Sequence, residues 1–379
     1  MSNSNNKTNI IEVKTGRDKK RFIDFPHDLY EGDPNYVPEI FIGQKDLLDE
    51  RKNPFFQHSI AQLFLAVRDG KVVGRIAAIR NNNYNEFANT TAGFFGFFDV
   101  MKDYEVAKSL LDTATAWVKK EGLNHILGPA NFTTNDTAGL LVEGFDRPPV
   151  AMMTYNKPYY AEFLERYGFQ KQMDMLAYFV AEEDVNFKSV RLAQMIEERL
   201  GKRGIVFRTV NMKKFKEEIT QVREVYRAAW DENWGFVPPT DAEFDHLAKD
   251  MKMVIDPDFA LLAEHEGKIV AFALAIPDIN VITRTMKKGR LLPFGIFKLL
   301  FQKKKIKRIR IILLGVLEAY RKMGIEAVFY ARIISKGIEK GFNEAEASWI
   351  LDNNELMKKG VEGVNMKAYK RYRMYEMAV

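Results

Sequence analysis

The chain has no cysteine. That excludes disulfides, thiolate catalysis and cysteine-based zinc sites, and it suits a reducing compartment, so a cytoplasmic location is expected. Histidine is scarce too: His27, His58, His125, His246 and His265 are scattered with no His-x-x-x-His pair, and no metal site is expected. No window approaches the roughly 18 unbroken apolar residues of a membrane-spanning helix. The start, Met1 to Asn9, is rich in Ser and Asn and lacks an apolar stretch. It reads as a frayed tail over residues 1–14, with no signal peptide. Acidic residues are missing from one place: Arg284 to Arg310 holds eleven Lys/Arg and no Asp or Glu. The net charge of +6 therefore comes from one basic arm on a slightly acidic body.

At 379 residues the chain is too long for one ordinary core, and two domains are expected. An internal repeat agrees. Ala66 to Ile79 reads AVRDGKVVGRIAAI and Ala263 to Ile276 reads AEHEGKIVAFALAI, with six identities in fourteen positions. Each is two β-type runs joined by an acid-Gly-Lys turn, which predicts a hairpin. The first hairpin is followed by strand Gly93 to Val100 and helix Glu105 to Glu121; the second by strand Ile309 to Val316 and helix Ile325 to Lys340. Val106, Leu110, Leu111, Ala114 and Val118 share one helix face, as do Ile325, Val328, Phe329 and Ile333, so both helices pack on a sheet. The expected layout is a unit over 15–180, a linker helix within 181–204, and a second unit over 205–379 that carries the arm at 284–308.

The strand ending at Val316 feeds a helix through a turn with Arg321 and Gly324. Unpaired N–H groups and the helix dipole make such a turn a phosphate or pyrophosphate site. The first copy has Met101-Lys102-Asp103 there, with no glycine, and is a poor anion cradle. The loop Gly128 to Asp136 is rich in Asn and Thr; it either presents amides to a ligand or satisfies its own backbone.

The Arg321-x-x-Gly324 turn, the preceding hairpin, and Trp349 to Asn354 together resemble the GCN5-related N-acetyltransferase (GNAT) superfamily. So does Tyr160 to Phe169 in the first copy. The resemblance spans about residues 15–180 and 205–376 and is that of a tandem GNAT protein; GFFGFF and the RYRMYE ending are similar to a bacterial group with this two-unit layout. It implies an α/β fold of two units, each a mixed twisted sheet with helices on both faces. It also implies acetyl-CoA or another acyl-CoA as cosubstrate, lying between strands 309–316 and 344–351. By the resemblance, Gly315 and Val316 would pair with the pantetheine arm. Lys322, Met323, Gly324 and Ile325 would hold the pyrophosphate with Arg321, and Asn353 or Asn354 would reach the pantetheine. Glu326 departs from the family pattern, which has Gly or Ala there, and its carboxylate would repel a pyrophosphate unless it turns away.

Acyl transfer to an amine needs a base and an acid. Family enzymes use a Glu and a Tyr; the equivalents expected here are Glu346 as base and Tyr372 as acid. The loop Asp231 to Pro239, acidic and aromatic, borders the acceptor site in that fold. The first copy is expected to be degenerate.

The reading is an acyl-CoA-dependent N-acyltransferase acting on a small-molecule or amine acceptor. One alternative is a binding protein that kept the fold and lost the chemistry. Another is an aminoacyl- or long-chain-acyl transferase whose arm, with the apolar centre Leu291 to Phe301 between basic flanks, meets an anionic lipid or an acyl chain. That apolar centre argues against nucleic acid as a partner.

Overall fold

The computed structural model describes residues 7–231, 233–252 and 255–379. Residues 1–6 of the expected tail and Glu232 of the acidic-aromatic loop lie outside the described residues. The first stretch of chain forms β1 (Asn9–Glu12), α1 (Gly16–Leu29), α2 (Phe41–Leu47), β2 (Ile60–Arg68), β3 (Lys71–Arg80), α3 (Asn82–Phe87), β4 (Ala92–Val100), α4 (Tyr104–Lys120) and β5 (His125–Gly128). Then come the short β6 (Ala130–Asn131), β7 (Thr137–Ala138) and β8 (Leu140–Glu143), followed by α5 (Tyr159–Tyr167) and β9 (Gln170–Ala181). The second stretch forms α6 (Phe187–Gly201), β10 (Ile205–Thr209), α7 (Phe215–Trp230), α8 (Asp241–Lys252), β11 (Ala260–His265), β12 (Lys268–Pro277), α9 (Asn280–Thr283) and α10 (Gly295–Phe301). It ends with β13 (Arg308–Val316), α11 (Ile325–Glu339), β14 (Glu344–Leu351), α12 (Glu355–Gly363) and β15 (Lys367–Ala378).

Contacts divide the chain into two compact units. The first takes the residues up to Asp174, with Asn280–Phe301 and Tyr372–Val379; the second takes Met175–Ile279 and Gln302–Arg371. Three sequence expectations change. Residues 9–12 are not tail: the β-branched pair Ile10 and Ile11 joins β1 antiparallel to β2, with Asn9 opposite Val67 and Glu12 opposite Phe64. The arm, expected in the second unit, packs with the first up to Phe301. There Lys288 pairs with Asp28 at 2.6 Å, Arg290 pairs with Asp24 at 2.7 Å, and the Arg290 guanidinium lies 3.2 Å over the Phe41 ring. The helix expected as a linker, α6, is part of the second unit, where Arg332 of α11 pairs with its Glu197.

The repeat shows in backbone detail. The turn residues Asp69 and Gly70 have φ of 50° and 75°, and Glu266 and Gly267 have 50° and 76°. Positive φ at both central residues is the two-residue turn whose twist matches a hairpin. Register slips by one residue after Ala66 in the first hairpin and after Ala263 in the second, which are equivalent positions.

Each unit then runs β-hairpin, central strand, helix, parallel strand. β4 pairs with β5 only from Ala92 to Phe94, and β13 with β14 only from Arg308 to Ile311. In both central strands an extra residue enters just beyond, where the register against the preceding strand shifts. A bulge bends its strand and ends pairing. The central strand therefore runs on without its parallel neighbour and leaves a wedge. Alternation sends successive residues to opposite faces. In the first unit Ile76 and Ala78 join the core under α4, while Arg75 turns to α1, where it lies over Phe22. In the second, Leu314 and Val316 face the core with α11, whereas Gly315 faces Trp230 of α7.

Candidate functional site

The wedge of the second unit is where the expected cofactor residues gather. Gly315 and Val316 pair with Phe272 and Ala271 of β12 on one edge, and neither pairs with β14 on the other. A Cβ at Gly315 would lie 2.5 Å from the Trp230 ring, so only glycine lets Trp230 lie flat on the strand. Seven residues separate Val316 from Gly324, which caps α11 at φ 92° with no side-chain hydrogen bond to the helix N–H groups. This left-handed position favours glycine. The α11 N-terminus therefore has no cap from residue 324 and a positive dipole end, although the Glu326 carboxylate already takes a hydrogen bond from its own backbone N–H.

The other expected residues fare unevenly. Lys322 is exposed, and Met323 and Gly324 are half-buried; Ile325 is buried in the core and contributes through its backbone alone. The Arg321 guanidinium makes long hydrogen bonds to the carbonyls of Val316 and Ala229, at 3.4 and 3.3 Å. The Asn354 side chain accepts from Met357 N at 3.1 Å, so it serves as the cap of α12, whereas Asn353 is exposed. Glu326 is partly buried; burial raises its pKa, opposed by the hydrogen bond from its own backbone N–H and by nearby Arg321. Its charge in turn raises the pKa of the buried Tyr330, behind the larger effect of burial, and the Tyr330 hydroxyl has no hydrogen-bond partner among the described residues.

The two residues expected as the catalytic pair fall in different units. Tyr372 is fully buried and belongs with the first unit, whereas Glu346 belongs with the second. Tyr369 instead donates to Glu346. By strand alternation residues 369 and 372 lie on opposite faces of β15. Glu346 itself is 1% exposed and also accepts from Ser348 Oγ at 2.6 Å, while Arg310 donates to Ser348 Oγ at 2.9 Å. As built, it is the centre of a buried polar network.

In the first unit the corresponding wedge is filled. Asn131 Oδ1 accepts from Phe97 N at 2.7 Å, and a Cβ at Gly96 would lie 1.9 Å from the Ala130 carbonyl oxygen. The chain's own β6 segment lies where a ligand's amide would pair. Of the two readings of the Asn/Thr-rich loop, the structure bears out self-satisfaction: Thr133 also donates to Asp136 at 2.9 Å. Only two residues separate Val100 from the helix cap Asp103, whose carboxylate accepts from Glu105 N at 3.0 Å and pairs with Arg68 at 2.9 Å. No anion can use that helix start.

The first unit has a cavity elsewhere, which sequence reasoning missed. About 150 Å³ is enclosed on the α1 side of the sheet, lined by His27, Tyr30, Tyr36, Glu39, Gln44, Arg75, Phe97, Asp99, Tyr155 and Asn156 among others. Arg75 pairs with Asp99 at 2.8 Å and donates to the Phe22 carbonyl at 2.9 Å. Tyr30 donates to Asp99 at 3.0 Å and stacks on Tyr36, with centroids 4.5 Å apart. Burial lowers the His27 pKa to about 4, helped by the charges of Arg75, Lys288 and Arg290, so His27 is neutral at pH 7. Glu39 is accessible from the cavity yet ringed by protein; this raises its pKa, with Arg75 opposing. A cluster of shifted groups around a cavity is a mark of a functional site. The one sequence signal was Arg75, a charge at the cross-strand centre of an apolar hairpin. Among the described residues no group of His, Asp and Glu could hold a metal ion, and no helix is long and apolar enough to cross a membrane.

A long mixed sheet that carries two repeated hairpins, each followed by a bulged central strand and a helix, defines a tandem GNAT fold. A tandem GNAT protein from the clavulanic acid biosynthesis pathway superposes with a TM-score of 0.58 over 98% of both chains, at 10% identity. No family model matches the sequence. Protein YghO of Escherichia coli (strain K12) is 35% identical over 369 residues, covering 96% of this chain and 93% of that one. Bacterial ceramide synthase of Caulobacter vibrioides (strain NA1000 / CB15N) is 35% identical over 386 aligned positions, covering 100% of both. The chain belongs to the family of these two proteins.

Proposed function

We propose that the protein is an N-acyltransferase that moves a long-chain acyl group from CoA to the amine of a long-chain amino alcohol. One observation carries this reading: the full-length similarity to a bacterial ceramide synthase, since a ceramide is an N-acylated long-chain amino diol. It favours the long-chain alternative over the acetyl-CoA reading. Two features of the chain support it. In the second unit Gly315 and Val316 lie beyond the pairing with β14, and the helix start at Gly324 has no side-chain cap from that residue, which suits the pantetheine and pyrophosphate of CoA once Glu326 turns away. The arm exposes Leu292, Phe294, Phe297, Leu300 and Phe301, each more than half exposed, between runs of Lys and Arg. That mix suits an acyl chain or an anionic lipid surface.

In this reading the amine nitrogen attacks the thioester carbonyl, the C–S bond breaks, and CoA leaves as the thiol while the amine loses a proton. Glu346 and Tyr369 are the acid–base pair we propose, replacing the pair with Tyr372. Purified protein should release CoA thiol from a long-chain acyl-CoA only when a long-chain amino diol is present, and mass spectrometry should find the amide. Release with no amide formed, from any acyl chain or amine tried, would sink the reading.

A further inference from the structure

Among the described residues, the charged groups that line the first unit's cavity are accounted for, with Glu39 left over. Arg75 pairs with Asp99, and the arm residues Lys288 and Arg290 pair with Asp28 and Asp24. His27 is neutral and hydrogen-bonds Tyr36 through Nδ1 at 2.9 Å. Glu39 lines the cavity without a hydrogen bond or an ion pair among the described residues. Gln44 also lines it, and its Oε1 is buried without a hydrogen-bond partner among the described residues. A buried acceptor left unpaired is destabilising, so the Gln44 oxygen points to a missing donor, and Glu39 stands exposed on the open side of the same cavity. The lining thus carries one carboxylate without an ion pair among the described residues and one idle buried acceptor, beside the Tyr36 ring, which stacks on Tyr30 while Lys157 Nζ lies 4.8 Å over Tyr30. Aromatic faces attract cations.

We infer that this cavity binds a primary ammonium with an adjoining hydroxyl, the head of an amino alcohol, with Glu39 pairing the ammonium and Gln44 Oε1 accepting from the ligand. The assignment of that head to the acyl acceptor rests on the function proposed above. It gives the first unit a task of its own: with its wedge filled by Asn131, it holds the acceptor and not CoA. The mouth of the cavity offers a place for the chain that follows the head. Asn280, four residues before the arm, lines the cavity and donates to the Pro149 carbonyl at 2.9 Å, and the arm goes on to the exposed apolar face of α10.

The test is calorimetry on the full chain with a decyl-length 2-amino-1,3-diol, its N-acetyl derivative, and a long-chain acyl-CoA. The amino diol should bind at least about tenfold tighter than the uncharged N-acetyl form, the effect of one charge-assisted pair. Glu39→Gln should lose at least about tenfold in amino diol affinity and leave acyl-CoA affinity unchanged; Gln44→Leu should weaken the amino diol less. Equal binding of amino diol and N-acetyl form by the parent protein, which needs no variant to fold, would overturn the inference. So would undiminished amino diol binding by a folded Glu39→Gln. Failure of acyl-CoA to bind, beside Glu39-dependent amino diol binding, would overturn the proposed function and leave this site standing.

Discussion

Arg75 of β3 and Phe272 of β12 occupy the same position in the repeated hairpins, and each stands directly across from the central strand of its own unit: Arg75 opposite Asp99, Phe272 opposite Gly315. In the first unit that crossing is a buried ion pair on the wall of a cavity. In the second it is an apolar slot, with the Trp230 ring 5.6 Å from that of Phe272. The two copies have diverged in opposite ways. One keeps a polar cavity and fills its wedge; the other keeps its wedge and covers the facing side with aromatics.

Breaking the first crossing should be costly. Arg75→Leu leaves Asp99 charged and buried, and denaturant unfolding should show a loss of about 3–5 kcal/mol. The double change to the second unit's residues, Arg75→Phe with Asp99→Gly, removes both charges and should recover much of that loss. A double variant less stable than the single one would contradict the view that the pair balances itself.

Gly324→Asp should abolish CoA binding with the fold retained by circular dichroism. It places a carboxylate at the helix start, and a side chain at φ 92° is strained and meets Ile196 at 3.1 Å. Gly324→Ala separates the effects: strain alone should weaken CoA modestly, without the loss due to charge. Unchanged CoA affinity in the Asp variant would remove the pyrophosphate from this turn.

Much of this was legible in the sequence. The hairpins, central strands and helices show in periodicity, and the acid-Gly-Lys turns fix their register. The unequal anion turns show in Gly324 against Asp103. What was not legible depends on three-dimensional neighbours. Asn131 fills a wedge formed by residues thirty-odd positions earlier. Glu39 sits in an irregular loop with no pattern to mark it, and the arm leaves the unit in which it is inserted. Ile10 and Ile11 were outweighed by the Ser/Asn run before them.

Glu326 gives a pH prediction. Burial raises its pKa above the unfolded value of 4.5, so the folded state holds the proton more tightly. Its contribution to stability is full below pH 4.5 and is lost as pH rises through the raised folded value. Glu326→Gln should therefore be more stable than the parent at pH 8, with the difference shrinking near pH 4. It should also tighten CoA binding at pH 8 by removing a nearby negative charge. A stability difference that grows toward acid pH would reverse the sign.

Tyr369→Phe removes the phenol that donates to Glu346, and kcat should fall by more than about tenfold with acyl-CoA affinity unchanged. Tyr372→Phe should alter stability while kcat and KM stay within about threefold. The opposite pattern would restore Tyr372 to the chemistry.

Charged substitutions on the exposed face of α10, Phe297→Asp with Leu300→Asp, should reduce co-sedimentation with vesicles containing anionic lipid, and high salt should do the same to the parent. Binding that survives both would exclude the arm as a lipid contact.

The most direct test of the whole account is product formation by the full chain. Given a long-chain acyl-CoA and a long-chain amino diol, the parent should form the N-acyl amide and one CoA thiol per amide, and Gly324→Asp should form neither. Amide formation undiminished in a folded Gly324→Asp, or no amide from the parent, would contradict it.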